Sequence, residues 1–137
     1  MLLALPLTGP SCGPAKNDGG IYKTTDGGQN WQQKIQIEGS KETLARADVT
    51  QILGDPSNPD VVYIIAAGGI YVSNQFGDSW KKLVPEISAA HTLEFNPQKR
   101  GVLFAAVAIN ERGKIIYSEN AGVDWKEIYT EDRKSVV

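Results

Sequence analysis

A chain of 137 residues suits one domain of ordinary size, and its apolar content is that of a globular protein. The formal net charge is −2, and the basic residues are spread in single positions and short pairs such as Lys81-Lys82 and Lys99-Arg100, so no clustered nucleic-acid footprint is expected. No stretch reaches the ~18 apolar residues of a membrane span, and a lone cysteine, Cys12, excludes an intrachain disulfide.

Residues 1–18 form an apolar lead, Met1-Leu2-Leu3-Ala4-Leu5, followed by Gly/Pro-rich linker composition. Small residues before Cys12 give it the look of a truncated secretory signal with a bacterial lipidation site, although Pro10 fits such a site poorly and no basic residue precedes the apolar run. An irregular N-terminus with an incidental Cys12 is the other reading. Two strands are expected next, over about 20–25 and 30–37, then a polar connection over 38–48 without clear period.

A complete four-strand unit follows. Val49 to Leu53 alternates as a strand, Asp55-Pro56-Ser57-Asn58-Pro59-Asp60 turns, and Val61 to Ala67 is an apolar run rich in β-branched residues. Ile70 to Ser73 and Trp80 to Val84 complete it. A second unit repeats this one element by element: Thr92 to Phe95, a turn at Asn96-Pro97, Val102 to Ile109, Gly113 to Ser118 and Trp125 to Tyr129. Pro56 and Pro97 each stand five residues before the long apolar strand, so the register holds across the whole unit.

One hairpin pattern recurs three times between the last two strands of a unit. Thr24, Asp26, Gly28 and Trp31 mark the first copy; Ser73, Gly77 and Trp80 the second; Ser118, Gly122 and Trp125 the third. Gln75 and Asn120 replace the Asp in the later copies. The tryptophans lie 49 and 45 positions apart, a period of propeller blades. The expected fold is all-β: a β-propeller of four-stranded antiparallel blades, with a half blade over 19–37, blades over 49–84 and 90–130, and entry to another blade over 131–137. About two and a half blades do not close a ring, which points to a fragment of a longer ring or to self-association into a composite one.

The pattern Ser/Thr-x-Asp-x-Gly-x-x-Trp resembles the Asp-box of BNR-repeat β-propellers. The wider phrasing, from Asp55-Pro-Ser-Asn-Pro-Asp60 to Gly69-Ile-Tyr-Val-Ser73, is similar to a branch containing the photosystem II assembly factor, sortilin-type receptor propellers and xyloglucanase-like glycosidases. The resemblance implies an exported binding or assembly scaffold with a protein or carbohydrate partner. Its alternative is the N-terminal part of a sialidase- or xyloglucanase-like glycosidase.

No Cys/His cluster has metal spacing and no phosphate loop is present, so neither metal nor cofactor is expected. Cys12 and His91 make no convincing nucleophile pair, and the four arginines, Arg46, Arg100, Arg112 and Arg133, match no sialidase arginine cluster. Catalysis by this chain alone is not expected. Box hairpins and first turns leave a blade on one face, while the other connections leave on the opposite face. The first connection between blades is about eight residues longer than the second, and the third blade's central hairpin about four residues longer than its counterpart. These extensions select Arg46, Asp48, His91, Glu111 and Arg112 as ligand-binding candidates on the face opposite the boxes. The boxes themselves read as structural, with Asp26 bracing the turn and Trp31 buried enough that Trp31→Ala costs several kcal/mol.

Overall fold

The computed structural model describes residues 19–132. The expected leader, Cys12, Arg133 and most of the expected entry to another blade lie outside the described residues. The described chain contains ten strands: β1 (Tyr22–Lys23), β2 (Gln32–Gln33), β3 (Val49–Asp55), β4 (Asn58–Ala66), β5 (Gly69–Ser73), β6 (Lys81–Leu83), β7 (Ala89–Phe95), β8 (Leu103–Ile109), β9 (Arg112–Ser118) and β10 (Lys126–Thr130).

They form three antiparallel meanders: β1-β2, β3-β4-β5-β6 and β7-β8-β9-β10. The latter two are whole propeller blades, called blades 2 and 3; β1-β2 is the half blade before them. Strand β4 starts earlier than its composition suggests, because Asp55 pairs with Asn58 across Pro56-Ser57 and a register shift absorbs the irregularity. The half blade is shorter than expected. Only two residues pair on each side, with Gln36 bridging Thr43 and Ile37 bridging Trp80 beyond them.

Strand alternation sends each blade's side chains to both neighbours. Tyr63, Ile65, Ile70, Val72 and Leu83 of blade 2 pack on Leu93, Leu103, Ala105, Val107 and Ile116 of blade 3. The opposite face of blade 2, with Ile64, Ala66, Tyr71 and Trp80, packs on Ile37 and Leu44. The 38–48 connection is therefore not a plain polar loop: Leu44 and Ala45 are buried in it.

Side chains also join the two whole blades. The Gln51 amide donates to Leu93 O at 2.7 Å and accepts from Leu93 N at 2.9 Å, imitating one rung of a ladder between β3 and β7. Both strands bulge next to this clasp, at Thr50 and at His91.

The central hairpins correct one expectation. Ala67-Gly68 and Asn110-Glu111 are both two-residue loops with positive φ at each residue, the geometry that matches strand twist. The four extra residues in blade 3 lengthen the ladder: β8 and β9 pair from Leu103↔Ser118 to Ile109↔Arg112, whereas β4 and β5 stop at Ala66↔Gly69.

Candidate functional site

The three boxes share one frame built around a hydroxyl. Thr24 Oγ1 accepts from Gly28 N at 2.9 Å, Ser73 Oγ from Gly77 N at 2.9 Å, and Ser118 Oγ from Gly122 N at 2.8 Å. In each copy two successive residues take positive φ: Gly27-Gly28, Phe76-Gly77 and Ala121-Gly122. Glycine suits the second position without steric cost, while Phe76 and Ala121 hold a left-handed backbone that disfavours a side chain.

The acidic position shows why the later copies do without Asp. Asp26 accepts from Asn30 N at 2.9 Å and from the Asn30 amide at 2.7 Å. In the third box Asn120 accepts from Asp124 N at 2.8 Å and donates its amide to the Asp124 carboxylate at 2.7 Å. Carboxylate and amide have exchanged ends of one turn. The hydrogen bonds survive and the charge changes side. In the second box Gln75 and Ser79 occupy these positions, and Ser79 Oγ donates to Glu38 at 2.6 Å.

The tryptophans differ. Trp31 and Trp125 donate their indole N–H to their own box glycines, Gly28 and Gly122, at 3.0 and 2.9 Å. Trp80 donates instead to Lys34 O at 2.8 Å, and its backbone pairs with Gln36 and Glu38. Trp80 is only 1% exposed, while Trp31 is 59% exposed. The expectation of a buried Trp31 is thus corrected: the box fixes where the ring emerges, and the neighbouring blade decides whether it is covered.

Charge around the boxes and along the last ladder is arranged for holding. The backbone N–H and side chain of Asn30, with the Thr24 hydroxyl, lower the Asp26 carboxyl to about 2. Lys34 and Lys23 hold Asp78 below its ordinary value; Lys126 does the same for Glu119, and Lys114 with Thr130 for Glu127. Every carboxyl with a displaced pKa among the described residues is displaced downward, toward permanent charge. Burial, with Asp55 nearby, raises Tyr63 to about 12, so its phenol stays protonated and donates to Ala121 O at 2.8 Å.

A broad concavity lies on the box face. Two adjoining hollows of about 590 and 740 Å³ make one groove between blades 2 and 3, sharing Asp55, Ser57, Arg100 and Gly101. Tyr63, Val72, Leu83 and Phe95 line its apolar parts, with Tyr63 and Phe95 meeting edge to face at 5.7 Å. Lys81 and Arg100 stand along it, and among the described residues neither forms an ion pair. The sequence reading overlooked both, because they lie in separate blades. A signal was available: the repeat register puts Lys81 just after one box Trp and Arg100 in the following blade's first turn.

The five residues selected from sequence are all exposed. Hydrogen bonds knit their face together: Ala67 N donates to Asp48 O, Ser88 N to Ala108 O, and Glu131 N to Gly113 O. Arg46 and Asp48 flank the half-buried Ala47, while Glu111 and Arg112 sit at the tip of the β8–β9 hairpin. His91 occupies the β7 bulge and borders a shallow hollow with Lys114, Tyr129 and Glu131. They share a face across two blades, and no one cavity gathers them. Among the described residues, no group of three His, Cys, Asp or Glu side chains is placed to hold a metal.

Comparison with known proteins matches this architecture. An ancestral GH74 enzyme superposes with a TM-score of 0.62 at 21% identity, over 86% of this chain and 16% of that one. YCF48 from Cyanidioschyzon merolae gives 0.49 at 11% identity, over 64% of this chain and 25% of that chain. The vacuolar protein sorting/targeting protein 10 of Paracoccidioides brasiliensis is 43% identical over 60 residues, and that of Paracoccidioides lutzii is equally so. The stretch is 44% of this chain and 4% of each relative, so the chain spans a small part of their length. The family model described as sortilin, neurotensin receptor 3, matches residues 10–136, the blades and boxes included, and the chain belongs to the sortilin–Vps10 family.

Proposed function

We propose that this chain is a non-catalytic binding or assembly scaffold for a protein partner, working outside the cytoplasm. The family match across 10–136 carries the reading, and the fungal relatives' names, which describe protein sorting and targeting, agree with it.

Two surfaces are open to the partner. Arg46, Asp48, His91, Glu111 and Arg112 offer charged contacts on the face opposite the boxes. The groove between the blades offers apolar wall with Lys81 and Arg100 on the box face. A binding screen against secretory-pathway proteins, repeated with Arg46→Ala/Arg112→Ala and with Lys81→Ala/Arg100→Ala, separates them. Loss of binding only with the first pair assigns the five-residue face; loss only with the second moves the contact into the groove.

The alternative is a carbohydrate-active propeller, favoured by the fold neighbour described as a GH74 enzyme. Hydrolysis of a xyloglucan or sialoside panel that disappears on carboxylate substitution establishes it and refutes the scaffold. Lipidation of Cys12 is a further part of the proposal, and an unmodified Cys12 peptide in the mass spectrum of the membrane fraction refutes it.

A further inference from the structure

Repetition lets one blade be compared with the next, and in the groove between blades 2 and 3 the comparison breaks down. Leu53, Tyr63, Val72 and Lys81 lie directly opposite one another across the four strands of blade 2, so all four face blade 3. The first three belong to the apolar joint between the blades. Lys81 ends the row and lines the larger hollow.

The counterpart of Lys81 in blade 3 is Lys126, opposite Tyr117. Lys126 meets the Glu119 carboxylate at 3.1 Å, and Lys99 meets its other oxygen at 3.8 Å. Glu119 directly follows the box hydroxyl Ser118. The residue that follows Ser73 is Asn74, which also lines the hollow but brings no charge to Lys81.

A second box carboxylate is missing as well. Across the joint between the half blade and blade 2, Asp78 bonds Lys23 and Lys34 at 3.1 and 3.0 Å. Across the joint between blades 2 and 3 the same box position is Val123, 76% exposed. Arg100, where blade 2 has Pro59, brings another cation from the blade 3 side. Among the described residues lining this hollow, Asp55 is the one carboxylate, and its Oδ1 is taken up by Ser57 N at 2.7 Å and Ser57 Oγ at 2.6 Å. Lysines elsewhere in the blades are answered by Glu119 or Asp78, whereas here two cations border about 740 Å³ of open groove beside Val84 and Val123.

We infer that this groove takes an acidic segment of the partner protein, its carboxylates meeting Lys81 and Arg100 as Glu119 meets Lys126, and its apolar side chains resting on Val84 and Val123. The inference rests on the scaffold reading and names the chemistry that the partner must carry.

Fluorescence anisotropy tests it, with the 137-residue chain and a labelled hexapeptide alternating glutamate and leucine, beside its glutamine counterpart and a uronic acid oligosaccharide. The glutamate peptide is expected to bind, less tightly as salt rises, and the glutamine peptide roughly tenfold more weakly. Lys81→Gln and Arg100→Gln should each weaken binding roughly three- to fivefold. Lys82→Gln makes the same change of charge and should leave binding alone, because Lys82 pairs with Tyr71 on the other face of the blade, where a Cβ on Gly69 would lie 3.3 Å from Lys82 Cε. Asn74→Glu copies Glu119 and should abolish binding by filling the place of the incoming carboxylate. All four side chains are exposed, so circular dichroism should remain that of wild type. Failure of the glutamate peptide to bind, equal binding of the two peptides, tighter binding of the sugar, equal loss with Lys81→Gln and Lys82→Gln, or full binding by Asn74→Glu overturns the inference. A protein partner lost only on Arg46→Ala/Arg112→Ala overturns it and leaves the scaffold standing, whereas carboxylate-dependent hydrolysis of the sugar panel overturns both.

Discussion

Trp80 is where the half blade is fastened, and its truncation gives the sharpest test of how the boxes work. The ring is fully buried against Ile37, Leu44, Ile64 and Tyr71, and its N–H bonds Lys34 O. Aromatic-to-alanine changes at such sites cost about 3–5 kcal/mol, partly from the cavity left behind. The lost hydrogen bond adds about 1 kcal/mol. Trp31 has the same motif position but is 59% exposed, so only about 60–100 Å² of the ring is buried. At about 25 cal/mol per Å² that is at most about 1.5–2.5 kcal/mol, and the entropy recovered by freeing the chain lowers it to about 1. Urea unfolding of Trp31→Ala and Trp80→Ala, followed by circular dichroism, measures the difference. Limited trypsin digestion adds a local readout, because Trp80→Ala releases the segment carrying Lys23 and Lys34. Equal destabilisation by the two substitutions refutes the reasoning, since it would mean that the motif, and not the neighbouring blade, sets the worth of the ring.

Three further outcomes follow from the same geometry. Ala121→Gly relieves a left-handed residue, φ 57°, and is expected to stabilise the chain by up to about 1 kcal/mol in urea unfolding. Gln51→Ala removes both hydrogen bonds to Leu93 and leaves a buried N–H unpaired; a cost of about 1–3 kcal/mol is expected, with faster amide exchange at Leu93. Acid should weaken the fold in a defined window: the Asp26 carboxyl is depressed to about 2 in the folded chain, against about 3.9 when unfolded. Its contribution is therefore complete above about pH 4 and is lost as pH falls toward 2, with Asp78, Glu119 and Glu127 acting in the same direction. Melting temperatures from pH 5 to 2 should fall less steeply for Asp26→Asn than for wild type.

Much of the fold was readable because the blades repeat. The strand order, the hairpin boxes and the blade period were carried by residues that recur at fixed offsets, such as Pro56 and Pro97 or Trp80 and Trp125. What did not repeat was misread. Four extra residues in blade 3 looked like a longer loop, but Asn110-Glu111 closes as tightly as Ala67-Gly68 and the surplus extends the ladder. Composition also hid Leu44 and Ala45, two apolar residues in a polar segment that pin it to blade 2. The groove was missed for a different reason: Lys81 and Arg100 come to line one hollow only when two blades stack, so the clue lay in comparing the register of successive blades and not in any spacing within one.

The meander order of the strands bears on how the chain is made. The farthest ladder partners within a blade, Ala89 and Ala108, are fewer than two dozen residues apart. Each blade can thus finish its backbone pairing soon after its last strand leaves the ribosome, without waiting for distant sequence. Only side chains, the Gln51 clasp and the Tyr63 hydroxyl among them, have to find partners farther along. Synthesis from the N-terminus would set blade 2 first, holding its apolar face open until blade 3 arrives to cover it.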